Sequence, residues 1–231
     1  MPENSLLESL PPDLKQRIMS DLKPVEMPAH EVIAERGKPF QGIYFPRGCL
    51  ISVVVNFENG STIEAELVGK DGYTGIAALL GRENATSDMF VQVAGAALRM
   101  ERKDFQFHLN DERFRATLGA YSATAFSIVG QLAGCVAFHP VEQRLARWLL
   151  MVRDRIDSTE FPLTQDFIAV MLGVYRPTVT TSVRTLERAG LIEHRRGMIR
   201  IIDGEALEQA ACECYQVIRD AENPAQYGGG N

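Results

Sequence analysis

Cysteine is scarce in this 231-residue chain, with four residues at positions 49, 135, 212 and 214. They are too few and too scattered for a disulfide framework, and no C-x-x-C pair occurs. Cys212-x-Cys214 alone is a weak metal signal, so the four are expected to be free thiols and no metal ligand is assigned. Histidine is as sparse: His30, His108, His139 and His194 stand far apart, with no H-x-H. That argues against a cupin-type β-roll enzyme, which needs two histidines one residue apart with a carboxylate and a later histidine. Neither a G-x-S-x-G elbow nor a phosphate loop is present, so no catalytic residue is assigned and the chain is read as a non-enzyme. The first ten residues, MPENSLLESL, lack the basic start and long apolar core of a secretion signal. No run approaches the roughly 20 apolar residues of a membrane-spanning helix. A cytoplasmic location without membrane contact is the expectation.

What is present is enough apolar sequence for two cores, at 45% hydrophobic and 23% charged residues. The net charge of −6 argues against an indiscriminate nucleic-acid coat. The charge is uneven, however. From Met171 to Ile202 there are six arginines against two acids, which favours a local basic face.

In chain order, Leu6, Leu7, Leu10, Leu14, Ile18 and Leu22 mark one or two short amphipathic helices interrupted by Pro11-Pro12. From Val25 to Met100 short β-prone runs alternate with turn residues, Asn59-Gly60 being the strongest hairpin signal. Many short strands at this spacing predict an antiparallel barrel or roll. Glu101 to Phe107 returns to a helical texture. From Asp111 to Phe138, Phe114, Leu118, Tyr121, Ala125, Ile128, Leu132 and Cys135 follow a heptad seam, expected to pack on a second copy of the chain. A helix packed along its own barrel is the alternative. His139-Pro140 breaks the helix. In the next helix, Val141 to Ile156, the arginines 144, 147, 153 and 155 are expected to form a solvated face. Gly204 to Ala221 is expected to be one closing helix. The divisions are 1–110 for a β-roll with N-terminal helices, 111–139 for a dimerisation helix and hinge, and 140–222 for the C-terminal domain. Residues 223–231 are expected to be a disordered tail.

The most informative stretch is Thr164 to Leu186. Phe167, Ile168, Met171 and Leu172 give a first helix one apolar face. Gly173 suits a tight reversal, and Pro177 lies in the first turn of a second helix, where its missing N–H is harmless. Val179, Val183 and Leu186 form the buried stripe of that helix. Tyr175, Arg176, Thr178, Thr181 and Arg184 are left outside, with no acid before Glu187, which suits a helix laid in the DNA major groove. Glu193 to Ile202 follows as a β-hairpin whose tip carries Arg195 and Arg196, placed near phosphates.

This order, with LTQDFIAVMLGVYRPTVTTSVRTLERAGLI, closely resembles the Crp/Fnr family of bacterial transcription regulators. The resemblance is strongest from Glu142 to Ile202. It implies an α+β fold: an N-terminal antiparallel, cyclic-nucleotide-binding-like β-roll (a jelly roll), a long dimerisation helix and a C-terminal winged helix-turn-helix. It also implies a homodimer on the palindromic operator of double-stranded DNA, with RNA polymerase as a further partner. Cyclic-nucleotide-binding members carry Gly-Glu-Leu and, after about ten residues, Arg-Ser/Thr-Ala. At the matching positions Gly75 is kept, but Ile76 replaces the ribose-holding glutamate and Thr86 the phosphate-clamping arginine. Arg82 is nearby but displaced. The pocket is therefore degenerate, and cAMP binding in the usual mode is not expected. No cofactor is predicted, and a small-molecule effector of unknown identity is left open. No cysteine precedes Cys49, so the N-terminal iron–sulfur cluster of oxygen-sensing members is absent. The best-known members read DNA with an Arg-Glu-x-x-x-Arg set. Here Arg176 is kept, Pro177 and Thr181 replace the other two, and Ser182 is expected to bond back to a carbonyl one turn earlier. Two other readings are weighed: a redox-responsive regulator acting through Cys135, and a signal-binding protein whose winged helix contacts other proteins.

Overall fold

The structure, a computed structural model, describes residues 3–222, so the tail expected over 223–231 lies outside the described residues. Two short helices, α1 (Ser5–Glu8) and α2 (Pro12–Ser20), precede the roll, and Pro12 occupies the first turn of α2. Strands β1 (Leu22–Met27), β2 (Val32–Ala34), β3 (Ile43–Arg47), β4 (Leu50–Asn56) and β5 (Thr62–Val68) are followed by a one-turn helix, α3 (Ile76–Leu79), and by β6 (Asp88–Val93) and β7 (Gly95–Met100). They form two antiparallel sheets in the orders β1-β7-β3 and β2-β6-β4-β5. The sequence does not announce β1, because Pro24 interrupts its run. The strand lies at a sheet edge, pairing only with β7, where a residue without an N–H is tolerated. Between the sheets Ile43, Phe45, Ile51, Tyr73, Val91 and Met100 form a core. Leu14 and Ile18 of α2 close one side of it. Phe105 of α4 (Arg102–His108) closes it as well, stacking on Phe114 edge to face.

The long helix α5 runs from Glu112 to Phe138, with Asp111 accepting from the Arg113 N–H as its N-cap. Its seam is not a surface. Phe114, Leu118, Ala125, Ile128 and Cys135 are buried within the same chain, and Tyr121 and Leu132 are half-buried. Phe114 and Leu118 enter the roll core, and Ile128 the core beneath the C-terminal helices. The seam faces its own barrel and cannot pack on a second copy, which corrects the dimer assignment. The opposite face of α5 is apolar and open: Phe126 is 83% exposed, with Val129 and Val136 also exposed and the small residues Ala123, Gly130, Ala133 and Ala137 between them. This second apolar face, added to the first, makes α5 long and apolar enough to cross a membrane by length and composition, contrary to the sequence expectation.

His139 ends α5 in an extended conformation and Pro140 caps α6 (Val141–Ile156), so the break falls where the His-Pro pair predicts. The arginines of α6 do not form a solvated face: Arg144, Arg147 and Arg155 are 4–5% exposed. The reason is that α6 is covered on every side, by the roll and by the helices that follow. Leu50, Val54, Leu67 and Val93 of the roll share one core with Trp148, Leu149 and Val152 of α6 and with Met171 and Leu172 further on. Buried polar groups stitch this contact. Trp148 Nε1 donates to Glu64 Oε1 of β5 at 2.6 Å, and Arg155 Nε donates to the Leu67 carbonyl at 3.1 Å.

β8 (Glu160–Pro162) then leads to α7 (Gln165–Leu172) and α8 (Arg176–Arg188), and β9 (Ile192–Arg195) and β10 (Met198–Ile201) form a hairpin. The three strands pair in the order β8-β10-β9. The expected closing helix is two helices, α9 (Gly204–Ala210) and α10 (Cys214–Ala221). The chain leaves helical geometry at Ala211, and Cys212 and Cys214 turn inward to pack on Cys135.

Candidate nucleic-acid interface

α7, the turn and α8 form as their residues dictate. Thr164 caps α7 by accepting from the Phe167 N–H at 3.2 Å. Gly173 ends it at φ +63°, a left-handed conformation that a side chain resists. Val179, Val183 and Leu186 are buried in the domain core. The Thr180 hydroxyl donates to Gln165 Oε1 at 2.7 Å, tying α8 to α7. Glu187 Oε1 accepts from the His194 N–H at 3.0 Å, tying α8 to the hairpin.

The structure leaves the sequence-assigned residues exposed. Tyr175 is 86% exposed, and Arg176, Thr178, Thr181 and Arg184 are exposed along the same helix. The first turn of α8 contains no acid, so the partial positive charge of the helix end is uncancelled and suits an anion. Arg176 contacts Asp166 at 3.2 Å, but both are more than 60% exposed, so the pair is weak and easily given up. Arg195 and Arg196 are exposed at the hairpin tip. Arg196 and Gly197 form the turn at φ +50° and +76°, the positive angles that a tight hairpin loop requires.

Ser182 departs from expectation. It is fully buried and its hydroxyl has no partner among the described residues, so it does not bond back. Two threonines do so instead: Thr181 and Thr185 each donate to the carbonyl four residues earlier at 3.1 Å.

The degenerate effector pocket is not assembled. Gly75 is buried at φ +113°, where a Cβ would meet Ile43 Cδ1 at 2.5 Å. Ile76 packs against the roll core, while Arg82 and Thr86 are exposed. A cavity of about 360 Å³ lies between α1, β5, α5 and α6, and none of those four residues lines it. Its wall includes Glu66, Asp71, Tyr121, Arg155 and Glu222. Burial pushes the Glu66 and Glu222 carboxyls up to about 7, and Arg155 donates to Glu222. Sequence reading missed this cavity, whose lining is drawn from distant segments.

It also missed a second gathering of chemistry. Cys135, His139, Cys212 and Cys214 present donor atoms that all lie within 4.8 Å of one another. A hydrogen bond with Cys212 holds the Cys135 thiol well below the usual range. The detectable signal was Cys135-x-x-x-His139, which puts two ligands on one helical face, together with Cys212-x-Cys214. More than 70 residues separate the two halves.

A β-roll, a long helix, a hinge and a winged helix with a basic outer face define a two-domain regulator with a DNA-reading head. Residues 24–112 match the model of the cyclic nucleotide-binding domain, and residues 143–210 match that of the Crp-like helix-turn-helix domain. The chain belongs to the Crp/Fnr family of transcription regulators. Solved structures with the same fold include a putative transcriptional regulator of that family from Eubacterium rectale (19% identity, TM-score 0.67, covering 89% of this chain and 96% of that one). A CRP-family regulator from Thermus thermophilus is 21% identical, with a TM-score of 0.67 over 82% of this chain and 96% of that one. FixK2 from Bradyrhizobium japonicum is 13% identical, with a TM-score of 0.70 over 83% and 98%. No curated protein sequence matches the chain significantly.

Proposed function

We propose that this regulator acts as a cytoplasmic homodimer on a palindromic operator, without control by cAMP in the usual mode. The observation that carries the reading is the outer face of α8. Tyr175, Arg176, Thr178, Thr181 and Arg184 are all exposed there with no acid among them, and Arg195 and Arg196 are exposed at the tip of the hairpin tied to α8. Thr181 already satisfies its hydroxyl proton within the helix, so it offers an acceptor oxygen and a methyl group to base edges. Arg176 supplies the bidentate donor, suited to a guanine.

Dimerisation falls to the open face of α5, from Ala123 through Phe126 and Gly130 to Ala137. Its small residues let a second helix approach closely, and Phe126 supplies a large apolar anchor. RNA polymerase is the protein partner such a dimer meets at a promoter. Ile76 cannot accept a ribose hydrogen bond and Thr86 cannot neutralise a phosphate, so calorimetric titration with cAMP is expected to give no micromolar binding. Genome-wide mapping of bound sites followed by footprinting tests the whole reading. Two inverted half-sites whose centres lie about one helical turn or a multiple apart are expected. Recovery of isolated single half-sites, or of no preferred sequence, would overturn it.

A further inference from the structure

We infer that Cys135, His139, Cys212 and Cys214 form a closed mononuclear site for a thiophilic divalent cation, zinc, that clamps the hinge between α5 and the C-terminal domain. The donor set is the first argument. Three thiols and one imidazole match a structural zinc site, with all four tetrahedral positions taken by the protein. Geometry is the second. A tetrahedral zinc with bonds of about 2.3 Å to sulfur holds its sulfurs about 3.8 Å apart. Cys135 Sγ lies 3.5 Å from Cys212 Sγ, and Cys214 Sγ lies 3.5 Å from His139 Nδ1. A multi-iron cluster would spread its cysteines over different metal atoms and hold them further apart. A disulfide would bring the sulfurs to about 2.05 Å.

The surroundings are built for the same ion. His139 Nε2 lies 3.1 Å from Glu213 Oε1, so a carboxylate orients the imidazole and leaves Nδ1 turned to the thiols. Gln131 Nε2 donates to Cys214 Sγ at 3.1 Å. Arg144 and Arg147 are buried and carry Nε atoms without partners. Among the described residues neither forms an ion pair, although the field of Arg147 reaches Glu64 as well as the thiols. Three thiolates around a dication leave one net negative charge, the Glu213 carboxylate on His139 adds a second, and these two guanidiniums offset them.

The three cysteines are buried and His139 is half-buried, so the cation would be shielded from solvent. Two ligands come from the end of α5 and the hinge, and two from the junction of α9 and α10. Binding releases the thiol protons and joins both sides of the Phe138–Pro140 break. The proposal does not depend on the DNA reading.

Metal analysis of the full chain, purified under reducing conditions without a metal-affinity step, is expected to find about one zinc per chain. Cobalt exchanged into the site should show the intense visible bands of a tetrahedral thiolate complex. Cys212→Ser and Cys214→Ser should lose the metal, and Cys49→Ser, buried in the roll, should keep it. Should the cysteine variants fail to fold, the exposed Glu213→Gln decides, with metal affinity expected to fall about 10- to 100-fold. Iron with inorganic sulfide, a Cys135–Cys212 disulfide, or metal-free protein that does not take up added zinc would each overturn the proposal. So would unchanged affinity in Glu213→Gln.

Discussion

Arg176 and Arg196 carry like charges and are expected to do different work. Arg176 projects from the first turn of α8, and its partner Asp166 is exposed and easily given up. Arg176→Ala should cost about 1–3 kcal/mol of discrimination at one base pair of each half-site, read from binding to a panel of operator variants. Equal losses on operator and random DNA would contradict a base contact. Arg196 sits at the wing tip at φ +50°, a backbone angle that glycine adopts at less cost. Arg196→Gly should therefore hold or raise the melting temperature. It should also weaken binding to all sequences alike and lower the salt slope by about one. A loss confined to the operator would instead give Arg196 a reading role. Residues of this kind were legible because spacing alone puts them on the outer face. Arg144, Arg147 and Arg155 were misread because a charged side chain on an amphipathic pattern says nothing about what covers it from elsewhere in the chain.

Glu64 is half-buried in the contact between β5 and α6, and desolvation there raises its carboxyl from 4.5 to about 7. The folded chain therefore holds a proton that the unfolded chain releases above its ordinary value. The stability this group contributes is complete below the ordinary value and is lost as the pH rises towards the raised one. The loss is about 1.4 kcal/mol for each pH unit separating the two. Glu64→Gln keeps an acceptor for Trp148 Nε1 and cannot ionise. Its melting temperature should exceed that of the parent at about pH 8 and lose the advantage near the ordinary carboxyl value. The same change under both conditions would show that Glu64 does not titrate across folding.

Among the elements, α5 shows how far periodicity reaches. Its length and its heptad seam were legible, but a seam does not state its partner. Phe114 and Leu118 are claimed by the roll, and a second apolar stripe around Phe126 is what remains. If the proposed dimer uses this face, Phe126→Glu should leave a monomer with its secondary structure intact, measured by sedimentation and circular dichroism. Persistence of the dimer would move the interface elsewhere. β1 was missed because Pro24 hides a strand that only edge position permits. The break between α9 and α10 was missed because its cause, the packing of Cys212 and Cys214 on Cys135, lies in another part of the sequence.

At the scale of the molecule, the order of roll, long helix, hinge and winged helix was legible, since each part has its own period and punctuation. The joint between the parts was not. One core runs from Leu50 and Leu67 of the roll through Trp148 to Leu172 of the reading head, and no local pattern encodes a contact between segments so far apart in the chain. Burial of this extent predicts a single cooperative thermal transition for the whole chain. Calorimetry that resolved two independent transitions would show the joint to be weak.

The helix-turn-helix bend itself rests on the roll: a Cβ on Gly173 would meet Ile63 Cδ1 of β5 at 3.0 Å. A reading head seated this way is not a portable cartridge. A chimera that grafts residues 140–222 onto a foreign sensor would leave Trp148 and Gly173 facing a surface they were not shaped against. Exchanges that carry β4 and β5 along with the head are the ones expected to yield a folded hybrid.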